Sequence, residues 1–203
     1  MQFYYRIIFR LVLLISFVPG VKAQYVDLDI LKSINPQHPS SQYWKATSSS
    51  VFYISAGASF GVLATGFITK NKTMQRNSYE TLISIGISTI VSETLKNSIN
   101  RTRPADRYPN EVFVNSPSHG KSFPSGHTTL AFATATSIAF EYRKWYFVLP
   151  AYCWAASVGY SRMYLGRHYP TDALAGAVLG TGSGILSHWI IGKYFKHEKK
   201  QSH

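Results

Sequence analysis

The sequence has a single cysteine among its 203 residues, Cys153, so an intrachain disulfide is excluded. That cysteine lies in an apolar run and reads as a buried, inert thiol. Acidic residues are scarce: Asp and Glu number 9 against 21 Lys and Arg, for a net charge of +12. Such an excess calls for an anionic partner, whether nucleic acid, membrane surface or phosphorylated substrate, without choosing among them. Strand-like alternation is nearly absent. Only "ISIGIS" (83–88) has a period of two, and one short run builds no sheet. There is no internal repeat, and the only biased tract is the basic tail "KYFKHEKKQSH". These absences leave an all-α chain.

What is abundant is uncharged apolar sequence. The N-terminus, "MQFYYRIIFR" followed by "LVLLISFVPGV" and "VKA", has the charge, apolar core and small-residue end of a signal peptide cleaved after Ala23. A retained anchor helix is the alternative, and either places residue 24 outside the cytoplasm. Residues 24–50 are polar and turn-rich, a surface lead-in with room for one short helix. Five apolar segments follow, at 51–68, 81–92, 128–140, 145–160 and 173–192. A helix needs about 17–25 residues to cross a bilayer. The first and last are long enough; the middle three qualify only through snorkelling ends or burial against neighbours. The expected architecture is a polytopic membrane bundle of about five spanning helices after the signal or anchor. Its domain would cover 51–195, with a basic cytoplasmic tail at 196–203.

The loops test this topology. With residue 50 outside, the cytoplasmic pieces 69–77, 141–144 and the tail are short and basic, as the positive-inside rule requires. The outer loops break the rule. They carry Lys96, Arg101, Arg103, Arg107, Lys121, Arg162 and Arg167.

Three clusters account for most of that charge. In "LKNSINRTRPADRYP" (95–109), Lys96 and Arg103 lie two helical turns apart, and Pro104 ends the helix and turns Arg103 into the loop. In "SFPSGHTTLAFA" (122–133), Ser125 is a candidate N-cap. The N–H groups from Gly126 onward favour an anion, and His127 sits in the same turn. In "SRMYLGRHYPTDALAG" (161–176), Asp172 follows His168 by four residues, close enough to orient the imidazole, and Arg162 offers a planar fork to phosphate oxygens. Taken alone, the first cluster reads more readily as a solvated cap and the third as a helix-start cap, and the second is balanced between a capped helix and an anion site. All three fall on one predicted outer face.

Together, "KNSINRTRP" from Lys96, "PSGH" from Pro124 and "SRMYLGRHYPTD" from Ser161 resemble the signature of the type 2 phosphatidic acid phosphatase and vanadium haloperoxidase superfamily, in residue type, spacing and order. The resemblance covers residues 96–172 and implies roles. His168 would be the nucleophile that forms a phosphohistidine, and Asp172 would orient it. His127 would be the general acid for the leaving alkoxide and then the base that activates water. Lys96, Arg103 and Arg162 would bind the phosphoryl oxygens, with Ser125 and the Gly126 N–H assisting. No metal or other cofactor is expected, and vanadate should inhibit competitively. Arg101, Arg107, Lys121 and Arg167 read as headgroup contacts or, individually, as solvated charges.

Three function classes fit. The first is a membrane phosphatase hydrolysing a lipid phosphomonoester or pyrophosphate at the outer face of a bacterial inner membrane. Candidate substrates are phosphatidic acid, phosphatidylglycerophosphate, undecaprenyl pyrophosphate and lipid A. The second is a soluble periplasmic acid phosphatase of the same superfamily. The third is a vanadium-dependent haloperoxidase or a catalytically silent binding protein. The long uncharged runs and basic inner loops favour the first. The implied partners are a lipid phosphate and the membrane rather than nucleic acid; the oligomeric state is not legible.

Overall fold

The computed structural model describes residues 22–116 and 120–201, so most of the proposed signal segment lies outside the described residues. All regular structure among them is helical. Helix α1 is Lys22–Ile34, α2 Gln42–Ala56, α3 Val62–Ile68, α4 Lys72–Ile99, α5 Pro104–Arg107, α6 Gly126–Tyr142, α7 Trp145–Tyr164 and α8 Pro170–Gln201. A π-helical turn over Gly57–Gly61 joins α2 to α3 without breaking the rod. The lead-in is therefore more ordered than its composition suggests: α1 occupies its first half, and α2 begins nine residues before the apolar run at 51.

Helix α6 is the axis of the bundle. It packs against α2, α4, α7 and α8, and Ala131, Ala133, Thr134, Ala135 and Ser137 on it have no exposure. Small residues let the backbones approach closely. A Cβ on Gly180 of α8 would lie 2.2 Å from the Thr129 carbonyl, and one on Gly176 would lie 2.8 Å from that of Ser125. The "GAVLGTGSG" run is thus the seam that seats α8 on α6, as small-residue stripes do between membrane helices.

The polarity of the bundle is reversed relative to a water-soluble core. Along α4, Ser78, Thr81, Ser84, Ser88 and Ser92 form a buried stripe at helical spacing, whereas Ile90 is 69% exposed. Ser55 bonds Thr134 at 2.8 Å, and Trp154 donates to Ser50 at 3.0 Å. Phe52, Tyr53, Phe60, Phe67, Leu149, Leu174, Ile185 and Leu186 all face outward. Hydroxyls inside and large apolar groups outside suit a lipid surround, where the hydroxyls bond across helices and the apolar faces need no protein cover. Two continuous helical stretches, Gln42–Ile68 and Pro170–Lys193, are long and apolar enough to cross a membrane, and only 22% of the apolar window in the first is buried. The three middle segments correspond to α4, α6 and α7. Buried serines and threonines lower the hydropathy of α4 and α6, whereas α7 buries Ala151, Ala155, Val158 and Gly159; all three pack in the same bundle. Cys153 departs from expectation: it is exposed. Its apolar run has an outward face, and on this protein outward means apolar.

Aromatic residues mark both ends. Trp145, Tyr146 and Trp189 are exposed at the end of the bundle opposite the motifs, with Lys193 Nζ 5.3 Å from the Trp189 ring. Tyr25 and Tyr43 are exposed at the other. Such belts sit at the two membrane–water interfaces.

Candidate active site

The three motifs converge at the end of the bundle where α4 stops and α6 and α8 start. Helix α4 closes on Asn100 in the left-handed conformation, with Lys96 in its last turn. Arg103 is extended at φ −67° and ψ 152°, immediately before Pro104 opens α5. This is the conformation that a following proline imposes. Ser125 occupies the N-cap position of α6, as expected, but its side chain caps nothing. Its hydroxyl instead accepts from Thr128 Oγ1 at 2.9 Å. The first-turn N–H groups of α6 are thereby left without a side-chain cap, which keeps the helix N-terminus available to an anion. A side chain at Gly126 would meet Lys96 Nζ at 3.3 Å, so glycine lets the lysine lie over the helix end.

His168 is 2% exposed and Asp172 fully buried. His168 Nδ1 faces Asp172 Oδ2 at 3.5 Å, too long for a hydrogen bond, and Nδ1 has no other partner. Asp172 is otherwise held on every side. Oδ2 accepts from Ser122 Oγ and from the Tyr169 N–H, the latter at 2.9 Å, and Oδ1 accepts from Arg101 Nη1 at 2.6 Å. Its carbonyl accepts from the Ser125 N–H at 3.1 Å, tying the second motif to the third. Catalytic hydrogen bonds of this kind commonly tighten only when substrate is bound.

The cations are unevenly neutralised. Lys96 pairs with Glu93 at 2.7 Å. Arg103 Nε donates to the Gly120 carbonyl at 3.3 Å. Arg162 donates through Nη1 to Ser48 Oγ at 2.6 Å, makes no ion pair among the described residues, and has a buried Nε without a hydrogen-bond partner. Its pKa is pushed down to about 9 by burial and by the positive fields of Arg167 and Arg103. Arg103 and Arg167 are lowered as well, each chiefly by burial. His127 packs edge-on against Phe52 at 5.0 Å. Its pKa is pushed down to about 3 by burial, then by Arg162, His168, Lys96 and Arg103. His168 is pushed down to about 4, first by burial. Two neutral imidazoles thus lie beside Arg162, whose buried charge no ion pair among the described residues offsets and which the fields of Arg167 and Arg103 oppose. A tetrahedral oxyanion would offset that charge.

All eight expected site residues lie at this end of the bundle. Four others were not expected there. Ser48 and Phe52 come from α2, in and just after the supposed lead-in. Ser122 stood at the head of the second motif with no role assigned. Arg101, read as a headgroup contact or a solvated charge, is instead ion-paired to Asp27 and Asp172, each at 2.6 Å. Its position two residues before Arg103 was the one available signal.

Residues 79–196 match a family model described as the PAP2 superfamily. The chain is 42% identical over 78 residues to a lipid A 1-phosphatase of Porphyromonas gingivalis, covering 37% of this chain and 17% of that one. It is 32% identical over 107 residues to an undecaprenyl-diphosphatase of Sulfolobus acidocaldarius, covering 52% and 51%. The chain therefore spans about half or less of the length of these curated relatives. Among solved structures, the crystal structure of Aquifex aeolicus LpxE superposes with a TM-score of 0.62 at 28% identity, covering 79% of this chain and 93% of that one.

Proposed function

The chain belongs to the PAP2 superfamily, and we propose that it is a membrane-bound lipid phosphatase that removes a phosphate from a phosphomonoester or pyrophosphate lipid at the outer face of a bacterial inner membrane. One observation carries this reading. Arg162, with an orphaned buried Nε, lies within the fields of Arg103 and Arg167 and beside two neutral histidines. A buried cation without an ion pair is costly, and an anion bound beside it lowers that cost. The reversed polarity of the bundle supports delivery of that anion on a lipid. The basic loops at the far end support the orientation.

The geometry supports the following sequence of steps. Arg103 and Arg162 bind the phosphoryl oxygens, with Lys96 and the α6 N-terminus completing the charge. Neutral His168, its Nδ1 turned to Asp172, attacks phosphorus through Nε2. The bond to the leaving oxygen breaks as the N–P bond forms, and His127 gives that oxygen a proton. Bound phosphate raises the proton affinity of His127, which burial and the neighbouring cations depress. In the second half, His127 takes a proton from water. The hydroxide attacks the phosphohistidine, releasing phosphate and restoring His168. Positive charge comes from side chains throughout, so no metal is required.

Lipid A and undecaprenyl diphosphate, named for the relatives above, join phosphatidic acid and phosphatidylglycerophosphate as substrate candidates. The test is phosphate release from these four by the purified protein in detergent, with a soluble phosphomonoester as comparison. Release from at least one lipid, well above the soluble ester, is expected. Turnover of the soluble ester alone would favour a soluble-type acid phosphatase and overturn the lipid assignment.

A further inference from the structure

Asp27 lies on α1, outside all three motifs, yet it is 3% exposed. Burying a carboxylate is unfavourable unless its oxygens are fully engaged. They are engaged, and every partner leads to the active site. Oδ1 accepts from the Thr171 N–H at 2.9 Å, and Oδ2 accepts from Thr171 Oγ1 and Arg101 Nη2, both at 2.6 Å. Thr171 stands in the first turn of α8, where a backbone N–H has no partner within its own helix. Asp27 therefore caps α8 from another helix, one residue before Asp172.

Arg101 is the second arm. Its Nη1 donates to Thr171 Oγ1 at 2.7 Å and to Asp172 Oδ1 at 2.6 Å, while Nη2 holds Asp27. The guanidinium lies 3.9 Å from the centre of the Tyr169 ring, and the Arg101 carbonyl accepts from the Ser122 N–H at 2.7 Å. Ser122 in turn donates to Asp172 Oδ2. The planar fork thus spans two buried carboxylates, which a lysine could not reproduce. Only one Asp172 oxygen remains to face His168.

We propose that Asp27 is a positioning residue for the reaction: through Arg101 and Thr171 it fixes the Asp172 carboxylate toward His168, making α1 part of the catalytic apparatus. This rests on the phosphatase reading above. Asp27 touches neither His168 nor the phosphate site, so its effect falls on the rate of the chemical step and not on substrate binding. A chain cleaved after Ala23 keeps Asp27, close behind its new N-terminus.

The test compares Asp27→Asn, Arg101→Gln and the double variant, full length and in detergent, with the lipid phosphate that the wild type hydrolyses. Asn keeps the shape but weakens the hold on Arg101. By analogy with outer-shell partners of metal ligands, kcat should fall roughly 10-fold to 100-fold with KM changed less than about threefold. The double variant should lose little more than Arg101→Gln alone, because the two act through one linkage. If Asp27→Asn does not fold, Thr171→Val removes the bridging hydroxyl and leaves both charges. It should lower kcat in the same direction, by less. A folded Asp27→Asn with kcat within twofold of wild type, losses that multiply in the double variant, or a Thr171→Val of unchanged kcat would each overturn the proposal. A wild type inactive on every lipid phosphate would instead overturn the functional reading beneath it.

Discussion

Arg162 should weaken the protein that it serves. Burial, then Arg167 and Arg103, push its pKa down to about 9, well below the usual guanidinium range. That displacement corresponds to on the order of 5 kcal/mol against the charged form. The sign follows from proton binding. The folded state holds this proton less tightly than the unfolded state, so the cation opposes folding at every pH below about 9. That opposition fades only as pH rises toward the unfolded value. Arg162→Met removes the charge and keeps most of the apolar stem. It also loses the bond to Ser48 Oγ, worth about 1 kcal/mol. The net expectation is a ligand-free protein more stable by about 2–4 kcal/mol, which raises Tm by roughly 5–10 °C for a chain of this size. Thermal unfolding in detergent, with and without orthovanadate or inorganic phosphate, reads both halves of the argument. Wild type should melt lower without the anion and gain with it. Arg162→Met should melt higher without it and gain nothing. A variant that melts below wild type without ligand, and that phosphate stabilises as much as wild type, would refute the reasoning.

Further expectations follow from the same geometry. Ser48→Ala frees the Arg162 fork, so KM for the lipid phosphate should rise about 5-fold to 10-fold, the loss of roughly 1 kcal/mol of orientation, with kcat less affected; steady-state kinetics would show it. His168 is pushed down to about 4, so its contribution to stability is complete above its ordinary value of 6.5 and is lost as pH falls from there toward 4. His168→Gln should therefore flatten the fall of Tm between pH 6.5 and 4.5, and an unchanged slope would count against a buried neutral imidazole. Gly180→Val forces a side chain into the Thr129 backbone, where a Cβ would already sit at 2.2 Å. It should destabilise the bundle by more than about 2 kcal/mol, seen as lost yield or a lowered Tm, whereas Gly182→Ala, with open space around it, should be tolerated.

The convergence of the expected residues was legible because they are close in sequence to the devices that aim them. Pro104 sets Arg103, the glycine after Ser125 admits Lys96, and Asp172 follows His168 by one helical turn. Ser48, Phe52 and Asp27 were not legible. They reach the site from α1 and α2, more than 40 residues before the first motif, and long-range packing leaves no local pattern. The capping role assigned to Ser125 was a fair reading of propensity, but Thr128 and the approach of α8 through Gly176 set its surroundings. The middle helices illustrate a different limit. Hydropathy averages a helix over all its faces, so the serine stripe of α4 cancels the isoleucines that face outward. Only the three-dimensional arrangement separates the two faces and shows a membrane bundle with its hydroxyls inside.

A covalent bond between substrate phosphate and His168 is the central intermediate of the proposed reaction. The most direct measurement is a rapid mixing experiment with a lipid phosphate labelled in its phosphate, quenched in alkali, where phosphohistidine survives. The wild type should carry label on the peptide containing residue 168 during turnover, Asp172→Asn should carry less, and His168→Ala none while releasing no phosphate. Turnover by His168→Ala, or wild-type turnover with no label at any time, would contradict it.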